Sequence, residues 1–336
     1  MKSDLLSKKT ILITGGTGSF GKYIVSELLK HKPSEVRIFS RDEDKQYSMQ
    51  FELKTYKNLR FIIGDVRDKD TLLKATKNVD IVFHAAALKQ IPSTEYNILE
   101  AVKTNVLGAQ NVVDACLANN VERAIAISTD KAVEPVNVMG MTKALQERIF
   151  TLGNKYRNGG KTLFSCVRYG NVVASRGSVI PLFIKQIQAG LPITITHREM
   201  TRFILTLKQA MQLVFTALEK MVGGEIFVPK IRPLKIVDLI AVLSRELKPQ
   251  NSKVVEVGIR PGEKLHETLI SSAESIRAID KKDHFIVLPQ IDLAHIGNTY
   301  KINTYSKNKM RPYTSDKGPF LTKEEIRNIL KRDGII

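Results

Sequence analysis

The sequence predicts an α/β protein, with a doubly wound parallel sheet in the first half of the chain and a smaller α/β lobe after it. Three observations predict this fold. Short apolar segments alternate with amphipathic ones as far as about residue 170, a glycine-rich turn follows the first apolar segment, and glycine and proline punctuate the chain beyond that point. Repeated strand–helix–strand units place helices on both faces of a parallel sheet. The predicted domains are 1–170 and 171–336, and a second lobe interleaved with the first is the open alternative.

The predicted elements follow in chain order. Apolar segments predict strands at 10–14, 36–40, 59–65, 80–86, 123–129 and 162–173. Helical periodicity predicts helices at 21–31, 97–120 and 236–247. Thr322 and Glu325 have the spacing of a capping box, which predicts that a last helix begins there.

The composition is typical of a soluble globular chain in a reducing compartment. Of the 336 residues, 43% are hydrophobic and 26% charged. No apolar run reaches the ~18 residues of a membrane span, and the first residues lack the apolar core of a signal peptide. Cys116 and Cys166 lack metal-ligand spacing, which predicts free thiols, a cytoplasmic location and no metal site.

The net charge of +18 comes from lysines and arginines spread along the whole chain. Nucleic-acid binding usually needs such residues clustered in an arm or a stripe. The distribution therefore favours a lysine-rich solvated surface, or attraction of phosphorylated small molecules, over nucleic acid.

The first turn predicts a dinucleotide site. Its glycines match Gly-x-x-Gly-x-x-Gly at residues 15–21 and Gly-x-Gly-x-x-Gly at residues 16–21. Glycines in this pattern let the backbone approach a pyrophosphate at the helix N-terminus. The motif lies between a predicted strand and a predicted helix, which favours dinucleotide binding over a merely structural turn. The cofactor-binding residues predicted in this turn are Gly15, Thr17, Gly18, Ser19, Phe20 and Gly21.

The end of the second predicted strand favours NADP over NAD. NAD-binding proteins place an acidic residue there for the ribose 2′-hydroxyl, whereas an arginine accommodates a 2′-phosphate. Here the strand ends with Ser40 and Arg41, Lys45 follows closely, and Asp42 comes one position late. Further predicted cofactor contacts are Asp65, Val66, Ala86, Ala87, Lys89, Asn105 and Val172. His84 ends an apolar strand, and its position favours packing over catalysis.

Longer segments resemble one known family. They are ITGGTGSFGK, IFSRDEDKQ, GDVRD, FHAAALKQIPSTEYNILEAVKTNVLGAQNV, STDKAVEPVNVMGMTK, RYGNVVASRGSVIPLF and RPGEKLHETL, and they run from about residue 8 to about residue 330. Together they resemble the soluble UDP-N-acetylglucosamine 4,6-dehydratases that invert C5. These are extended short-chain dehydrogenase/reductases that supply surface glycans. The resemblance implies a Rossmann domain, a carboxy-terminal sugar-nucleotide domain, NADP, UDP-N-acetylglucosamine as substrate, and a homo-oligomer, which is a hexamer in several members.

The resemblance also implies roles for the block Thr129-Asp130-Lys131. In the family, hydride passes from C4 of the sugar to NADP⁺, water is lost across C5–C6, and the hydride returns to C6. Lys131 is implied to remove the C5 proton and Asp130 to protonate the departing hydroxyl. A lysine base must be neutral for part of the time, which Lys143, the nicotinamide cation and desolvation would promote. An ion pair that merely caps the strand is the structural alternative.

Met139 departs from the usual pattern. Four residues before Lys143, related oxidoreductases place a tyrosine that takes the C4-hydroxyl proton, and a thioether has no such proton to exchange. A branch of the same family that resembles the capsule enzymes also has methionine at this position. Lys143 is still implied to bind the ribose, which leaves Thr129 or Lys131, directly or through water, to take the proton.

The resemblance implies further contacts with the nucleotide or sugar, at Lys89, Asn171, Arg202, Arg260 and Glu263. Arginine suits a diphosphate because its forked donors match the oxygens. The expected product is UDP-2-acetamido-2,6-dideoxy-β-L-arabino-hex-4-ulose, with further 5-epimerisation left open. Two other functions also stay open, namely a UDP-sugar epimerase acting at C4 or C5, and a non-catalytic NADP-binding sensor.

Overall fold

The computed structural model describes residues 5–157, 159–173, 178–247, 253–291, 294–300 and 310–336. The strands are β1 (Thr10–Thr14), β2 (Glu35–Ser40), β3 (Leu59–Ile63), β4 (Ile81–His84), β5 (Arg123–Thr129), β6 (Leu163–Tyr169), β7 (Asn171–Val172), β8 (Ile193–Ile195), β9 (Thr201–Leu205), β10 (Ile226–Pro229), β11 (Pro233–Lys235), β12 (Val254–Glu256), β13 (Thr268–Ile270), β14 (Ala278–Asp280), β15 (His284–Val287) and β16 (Tyr313–Thr314). The α-helices are α1 (Ser19–Leu29), α2 (Glu43–Glu52), α3 (Lys69–Ala75), α4 (Ile91–Tyr96), α5 (Ile98–Ala101), α6 (Gly108–Ala118), α7 (Val138–Gly153), α8 (Val179–Gln188), α9 (Leu207–Lys220), α10 (Ile236–Leu247), α11 (Ser272–Ser275), α12 (Ala294–Tyr300) and α13 (Lys323–Arg332).

A nine-stranded sheet organises the molecule, in the order β14-β15-β10-β6-β5-β4-β1-β2-β3. The strands from β3 to β10 are all parallel, and β15 runs antiparallel to both of its neighbours. The first six strands thus follow the Rossmann order, with the reversal between β1 and β4. This arrangement confirms the predicted fold class. It also explains why β1 is buried on both faces, since helices cover each side of the sheet.

The chain beyond residue 170 contributes to two cores. Strands β10, β14 and β15 join the large sheet, and helix α9 packs on it. A separate apolar cluster forms around α8, β8, β9, α10 and α13, with residues such as Phe183, Ile195, Leu239 and Leu330. Small sheets β11-β9-β7 and β8-β12 accompany this second core, whereas the small sheet β13-β16 packs in the core of the large sheet. The domain boundary at residue 170 stays a prediction, because these pairings establish only which strands share a sheet.

Several predicted elements have different bounds in the structure. The predicted helix 97–120 is divided into α5, a π-helical segment at Val102–Leu107, and α6. The predicted strand 162–173 divides at Gly170 into β6 and β7, which lie in different sheets. A Cβ at Gly170 would lie 2.5 Å from the carbonyl oxygen of Phe203, so the backbone of β9 passes too closely for a side chain there. Helix α10 and the capping box at Thr322 are as predicted.

Candidate active site

A cavity of about 1060 Å³ lies at the carboxyl ends of the parallel strands, where the second lobe covers the sheet. Ligands of open α/β sheets bind at this edge, near the reversal of strand order. The cavity is lined by every site residue predicted above except Asn105 and Asp130. The sequence motifs of both lobes therefore meet at one cavity, although they lie up to about 250 residues apart along the chain.

The glycine turn between β1 and α1 is packed against the end of β4. Gly15 has a φ of +67°, and a Cβ there would lie 2.7 Å from the amide nitrogen of Ala86. A Cβ at Gly21 would lie 2.5 Å from the carbonyl oxygen of Gly15, which also accepts a hydrogen bond from the amide of Gly18 at 3.0 Å. Side chains at these positions would displace the turn, so the glycines leave a bare backbone cradle at the N-terminus of α1. That cradle fits a dinucleotide pyrophosphate.

The end of β2 presents cations to the cavity. The hydroxyls of Thr17 and Ser40 lie 2.8 Å apart, and Arg41 has an Nη1 atom 3.5 Å from Oδ2 of Asp65. Asp42 accepts a hydrogen bond from the amide of Lys45 and caps α2, and the Lys45 ammonium pairs with the same carboxylate. Because Asp42 is engaged in this cap, the exposed Arg41 guanidinium is the prominent charge beside Ser40.

Asn105 lies behind the cavity wall. It is completely buried, and its Oδ1 accepts a hydrogen bond from the Leu88 amide at 2.8 Å. Its Nδ2 donates to the Leu88 carbonyl at 2.9 Å and to the Thr142 hydroxyl at 2.9 Å. Asn105 therefore fixes the cavity wall after β4 against α7 without lining the cavity, and its contact with a cofactor stays a prediction.

His84 is packed as the sequence predicts. It is fully buried, its Nδ1 lies 2.8 Å from the Thr14 hydroxyl, and its ring stacks on Phe150 with centroids 5.5 Å apart. Burial, together with the charge of Lys143, lowers the pKa of His84 to about 3. The imidazole is neutral at physiological pH and does not line the cavity.

Helix α7 carries Met139 and Lys143 on one face, because residues four apart lie one turn above each other. Both side chains are buried and line the cavity. The Lys143 ammonium donates to the Ile127 carbonyl at 2.6 Å and to Oε1 of Gln146 at 2.7 Å. Burial lowers the pKa of Lys143 to about 8. The Lys143 side chain is therefore fixed at the end of β5, and its ammonium loses a proton more readily than that of an ordinary lysine.

Tyr169 is the one tyrosine among the described residues that line the cavity. It ends β6 directly beside Thr129 of β5, and its ring lies 6.1 Å from that of Phe20. Burial raises the pKa of the Tyr169 phenol well above its ordinary value. The missing tyrosine at position 139 is thus not replaced by a readily ionised phenol.

The Thr129-Asp130-Lys131 block forms the turn after β5. The Lys131 ammonium lies 3.0 Å from Oδ1 of Asp130 and 3.3 Å from Oε1 of Glu267. The Thr129 hydroxyl donates to the same Asp130 oxygen at 2.9 Å. Asp130 is completely buried and does not line the cavity, so it reaches the wall only through Thr129 and Lys131, which do.

Glu267 is the residue that the sequence reasoning missed. It ends the RPGEKLHE loop (260–267), is 2% exposed and lines the cavity. Nε of Arg202 lies 3.7 Å from its Oε1. We call Asp130, Lys131, Arg202 and Glu267 the Lys131 cluster. The sequence contained one indication of its role, because Glu267 lies four residues after Glu263 in the same conspicuous segment. Its contact with Lys131 spans 136 residues of chain, and no local sequence pattern predicts such a contact.

Lys131 is expected to be neutral for part of the time, but its surroundings in the structure favour the charged form. Burial lowers its pKa, but the carboxylates of Asp130 and Glu267 raise it and outweigh both burial and the charge of Arg202. The net shift is upward. Lys131 is therefore an ammonium in this state, and a proton must move before it can act as a base.

The second-lobe residues have distinct environments. Nη1 of Arg202 donates to the carbonyls of Thr201 at 2.7 Å and Leu265 at 3.0 Å, and Nη2 donates to that of Lys264 at 2.9 Å. Arg202 thus supports the RPGEKLHE loop with most of its donors. By contrast, Arg260 lies exposed on the cavity wall, where its fork is better placed for a diphosphate.

Two polar side chains of the second lobe also line the cavity. Glu263 accepts a hydrogen bond from the Thr196 hydroxyl at 3.0 Å. Oδ1 of Asn171 is buried and has no hydrogen-bond partner in the described part of the chain. An acceptor left in this way at a cavity wall is suited to a ligand donor.

A metal site and a membrane span are both absent from the described ranges. No group of three or more His, Cys, Asp or Glu side chains there could hold a metal ion. None of the described helices is long and apolar enough to cross a membrane.

Similar proteins match nearly the whole chain. A Methanocaldococcus jannaschii protein named as an uncharacterized membrane protein is 47% identical over 98% of this chain and 97% of its own length. An inverting UDP-N-acetylglucosamine 4,6-dehydratase of Campylobacter jejuni is 44% identical, over 96% of each chain. A UDP-glucose 4-epimerase of Rickettsia conorii is 43% identical, over 96% of this chain and 95% of its own.

A solved structure and a family description agree with these matches. The X-ray structure of Pen from Bacillus thuringiensis superposes with a TM-score of 0.89 at 39% identity, over 98% of this chain and 99% of that one. The family described as "Polysaccharide biosynthesis protein" matches residues 11–289, which include the glycine turn, the Lys131 cluster and the RPGEKLHE loop. The chain therefore belongs to the polysaccharide biosynthesis protein family.

Proposed function

We propose that this protein is an NADP-dependent UDP-N-acetylglucosamine 4,6-dehydratase that inverts C5 and gives UDP-2-acetamido-2,6-dideoxy-β-L-arabino-hex-4-ulose for surface glycans. The observation that carries the proposal is the position of Lys131, which lines the same cavity as the glycine turn and lies 3.0 Å from the Asp130 carboxylate. Elimination of water needs a base and an acid side by side, and this pair supplies both. The similarity to a named dehydratase at 44% identity supports the same reaction.

The acid and the base arise from one internal proton transfer. In the ion pair, Lys131 carries the proton and Asp130 does not. Transfer of that proton across the 3.0 Å contact gives a neutral amine and a protonated carboxyl without help from solvent. The amine can then take the C5 proton, while the carboxyl gives its proton to the Thr129 hydroxyl, which lines the cavity and passes its own proton to the departing C6 oxygen as the C–O bond breaks. Afterwards the pair has returned to ammonium and carboxylate, so the charges balance.

NADP would be held by the bare turn of Gly15, Gly18 and Gly21, with the 2′-phosphate near Ser40 and Arg41. When bound, it supplies the acceptor and donor of hydride. Lys143, fixed by the Ile127 carbonyl, would bind the ribose. These residues fit a dinucleotide because the glycine turn carries no side chains, so its backbone is open to the pyrophosphate.

The UDP-sugar would extend from the Lys131 cluster into the second lobe. Arg260 is proposed to bind the diphosphate, and Lys89, Asn171 and Glu263 to bind the sugar or nucleotide. Arg202 is proposed to act through the RPGEKLHE loop, since most of its donors already bond to that loop.

We further propose that the protein works in the cytoplasm as a homo-oligomer, with a hexamer as the expected form. Support for self-association comes from exposed apolar side chains on neighbouring helical segments between residues 96 and 145, namely Tyr96, Leu99, Leu107, Met141 and Leu145. Exposed apolar side chains grouped in this way are typical of protein–protein contacts. The buried free thiols of Cys116 and Cys166 are compatible with a reducing compartment.

Mass spectrometry of the product tests the proposal directly. The purified protein, saturated with NADP, is incubated with UDP-N-acetylglucosamine. A dehydratase yields a UDP-sugar lighter by one water. An epimerase, favoured by the named Rickettsia relative, yields a sugar of unchanged mass but altered stereochemistry, and a sensor yields no change. Either of the last two results contradicts the proposed function.

A further inference from the structure

The RPGEKLHE loop is attached to the turn after β5 by three contacts. The Lys131 ammonium pairs with Glu267 at 3.3 Å, the Lys264 ammonium donates to the Val133 carbonyl at 2.5 Å, and Nδ2 of Asn137 donates to the Gly262 carbonyl at 2.7 Å. The second lobe therefore reaches the proposed base directly. The first of these three contacts involves a side chain proposed to do chemistry.

Glu267 is itself held firmly. Its amide donates to the Ser315 hydroxyl at 2.8 Å, and its carbonyl accepts from the Ser315 amide at 2.8 Å. The Ser315 hydroxyl lies 2.7 Å from that of Thr201, the residue before Arg202. Held in this way, the Glu267 carboxylate has one oxygen on Lys131 and the other, Oε2, buried with no hydrogen-bond partner in the described ranges.

We propose that Glu267 is a positioning residue that holds the Lys131 side chain against Asp130 and sets the pH above which the pair loses the proton that the elimination needs. The inference rests on the proposed function, since it takes Lys131 as the group that removes the C5 proton. It follows from geometry, because a second carboxylate 3.3 Å from the ammonium favours the charged form of the lysine.

The charged groups around Lys131 come from three parts of the chain. Asp130 lies on its own turn, Arg202 on β9, and Lys264 with Glu267 on the RPGEKLHE loop. Of these, only Asp130 and Glu267 favour the ammonium, and Glu267 alone comes from outside the β5 turn. Substitution of Glu267 therefore removes one of the two negative charges that favour the Lys131 ammonium. It leaves Asp130, the predicted acid, in place.

The protonation of Lys131 can be measured without substrate. The protein is prepared with [ε-¹³C]lysine, and the Lys131 signal is assigned by its loss in Lys131→Arg. In the unsubstituted chain, Lys131 is expected to titrate above the ordinary lysine value of about 10.4. In Glu267→Gln its pKa is expected to fall by about 1–3 units, the usual effect of losing an opposite charge at this range.

Glu263→Gln is the matched control, because Glu263 lies on the same loop but bonds to Thr196 instead of Lys131. It is expected to leave the Lys131 titration unchanged, and Glu267→Asp is expected to restore part of the lost shift. An unchanged Lys131 pKa in Glu267→Gln overturns the inference. If that variant does not fold, the titration of Lys131 in the unsubstituted protein provides the test. A Lys131 pKa at or below about 10.4 there overturns the inference by itself.

The pH profile of dehydration gives the functional readout. The pair needs its one proton for the elimination, so the limb on which activity falls at high pH, as Lys131 is deprotonated, is expected to move to lower pH by the same ~1–3 units in Glu267→Gln. A purely structural role for Glu267 would lower the rate at every pH and leave the limb in place, which would contradict the inference. If the unsubstituted protein titrates as expected but releases no water, the proposed function fails while the inference about Glu267 stands.

Discussion

Two buried ionic clusters join the first lobe to segments after residue 260. They differ in how many of their hydrogen-bond donors and acceptors have a partner. In the first, Arg168 is 1% exposed, and its Nε and Nη2 donate to the two oxygens of Glu147 at 2.9 and 2.6 Å. Nη1 and Nη2 donate to Glu274 at 2.8 Å each, and Nη1 also donates to the Leu269 carbonyl. The Ser128 hydroxyl donates to Glu147 as well.

The Lys131 cluster has similar residue types and burial but spare hydrogen-bonding capacity. Oδ2 of Asp130 and Oε2 of Glu267 are buried without a partner in the described ranges. Lys131 and Glu267 also line the cavity, whereas Arg168, Glu147 and Glu274 do not.

The comparison separates a structural ion network from a reactive one. A buried charge whose donors are all used has no preferred next partner, so the Arg168 network can only hold elements together. Unused acceptors beside a cavity are costly for stability and are typical of functional sites. We therefore expect substitutions in the Arg168 network to change stability, and substitutions in the Lys131 cluster to change chemistry.

The largest expected effect on folding is at Arg168. Arg168→Ala removes one partner of a buried network and leaves the Glu147 and Glu274 carboxylates uncompensated. Loss of one partner from a buried pair typically destabilises by ~3–5 kcal/mol. Urea denaturation should show a decrease in the free energy of unfolding of this size.

Arg327→Ala is the matched control for that measurement. Arg327 pairs with Glu246 at 2.7 Å on the surface, where its side chain is 43% exposed. Exposed pairs contribute only ~0–1 kcal/mol. If Arg168→Ala costs no more than Arg327→Ala, the Arg168 network is not the structural element described here.

Arg41 is an exposed charge at the cavity and belongs to neither cluster. Its substitution should change the choice of cofactor and leave stability and chemistry unaffected. Arg41→Ala is expected to reduce the preference for NADP over NAD by about tenfold, which corresponds to ~1.4 kcal/mol of binding free energy. Calorimetric titration of both cofactors measures it. Arg60→Ala, also exposed but outside the cavity, should leave the ratio unchanged. Equal affinity for NADP and NAD in the unsubstituted protein would refute the NADP assignment.

The smallest expected effect on rate is at Met139, which lines the cavity without a charge. Met139→Ala should slow cofactor reduction in a single turnover by less than about tenfold, because loss of a true general base typically costs 10²–10⁴-fold. Met141→Ala, exposed on the same helix, is the control for helix packing. A collapse of cofactor reduction in Met139→Ala, with folding and NADP binding preserved, would mean that Met139 takes part in the oxidation.

Met139→Tyr sharpens the same test. Lys143 is already placed one helical turn away and would lower the pKa of a new phenol, so faster oxidation is expected. The competing idea is that the unreactive thioether retains the ketone intermediate long enough for epimerisation. In that case Met139→Tyr should alter the product ratio more than the rate, which product stereochemistry would reveal.

The sequence predicts the cofactor half of the cavity better than the chemical half, for a physical reason. The glycine turn and Arg41 depend on contiguous residues, whose strand and helix periods fix where each side chain points. The sequence also predicts Asn105 as a cofactor contact, whereas the structure places its fully bonded amide behind the cavity wall. An amide that lines a cavity and an amide buried behind its wall have the same sequence pattern.

The Lys131 cluster could be predicted only in part. Asp130 and Lys131 stand side by side in the sequence, but Glu267 and Arg202 approach them only after the second lobe folds over the sheet. Glu263 and Glu267 lie four residues apart in one loop, and only tertiary structure distinguishes the one that contacts Lys131. The pKa of Lys131 is raised first by Asp130 and then by Glu267, and an argument from the β5 turn alone could include only the Asp130 part.

The most direct test of the account compares the unsubstituted protein with Lys131→Ala in deuterated water. The unsubstituted protein is expected to give a dehydrated UDP-sugar carrying solvent deuterium at C5, because the base exchanges its proton before one returns to carbon. Lys131→Ala should stay folded and bind NADP normally, yet form this product 10²–10⁴-fold more slowly. Dehydration at near-normal rate in folded Lys131→Ala, or a product without deuterium at C5, would contradict the assignment of chemistry to the Lys131 cluster.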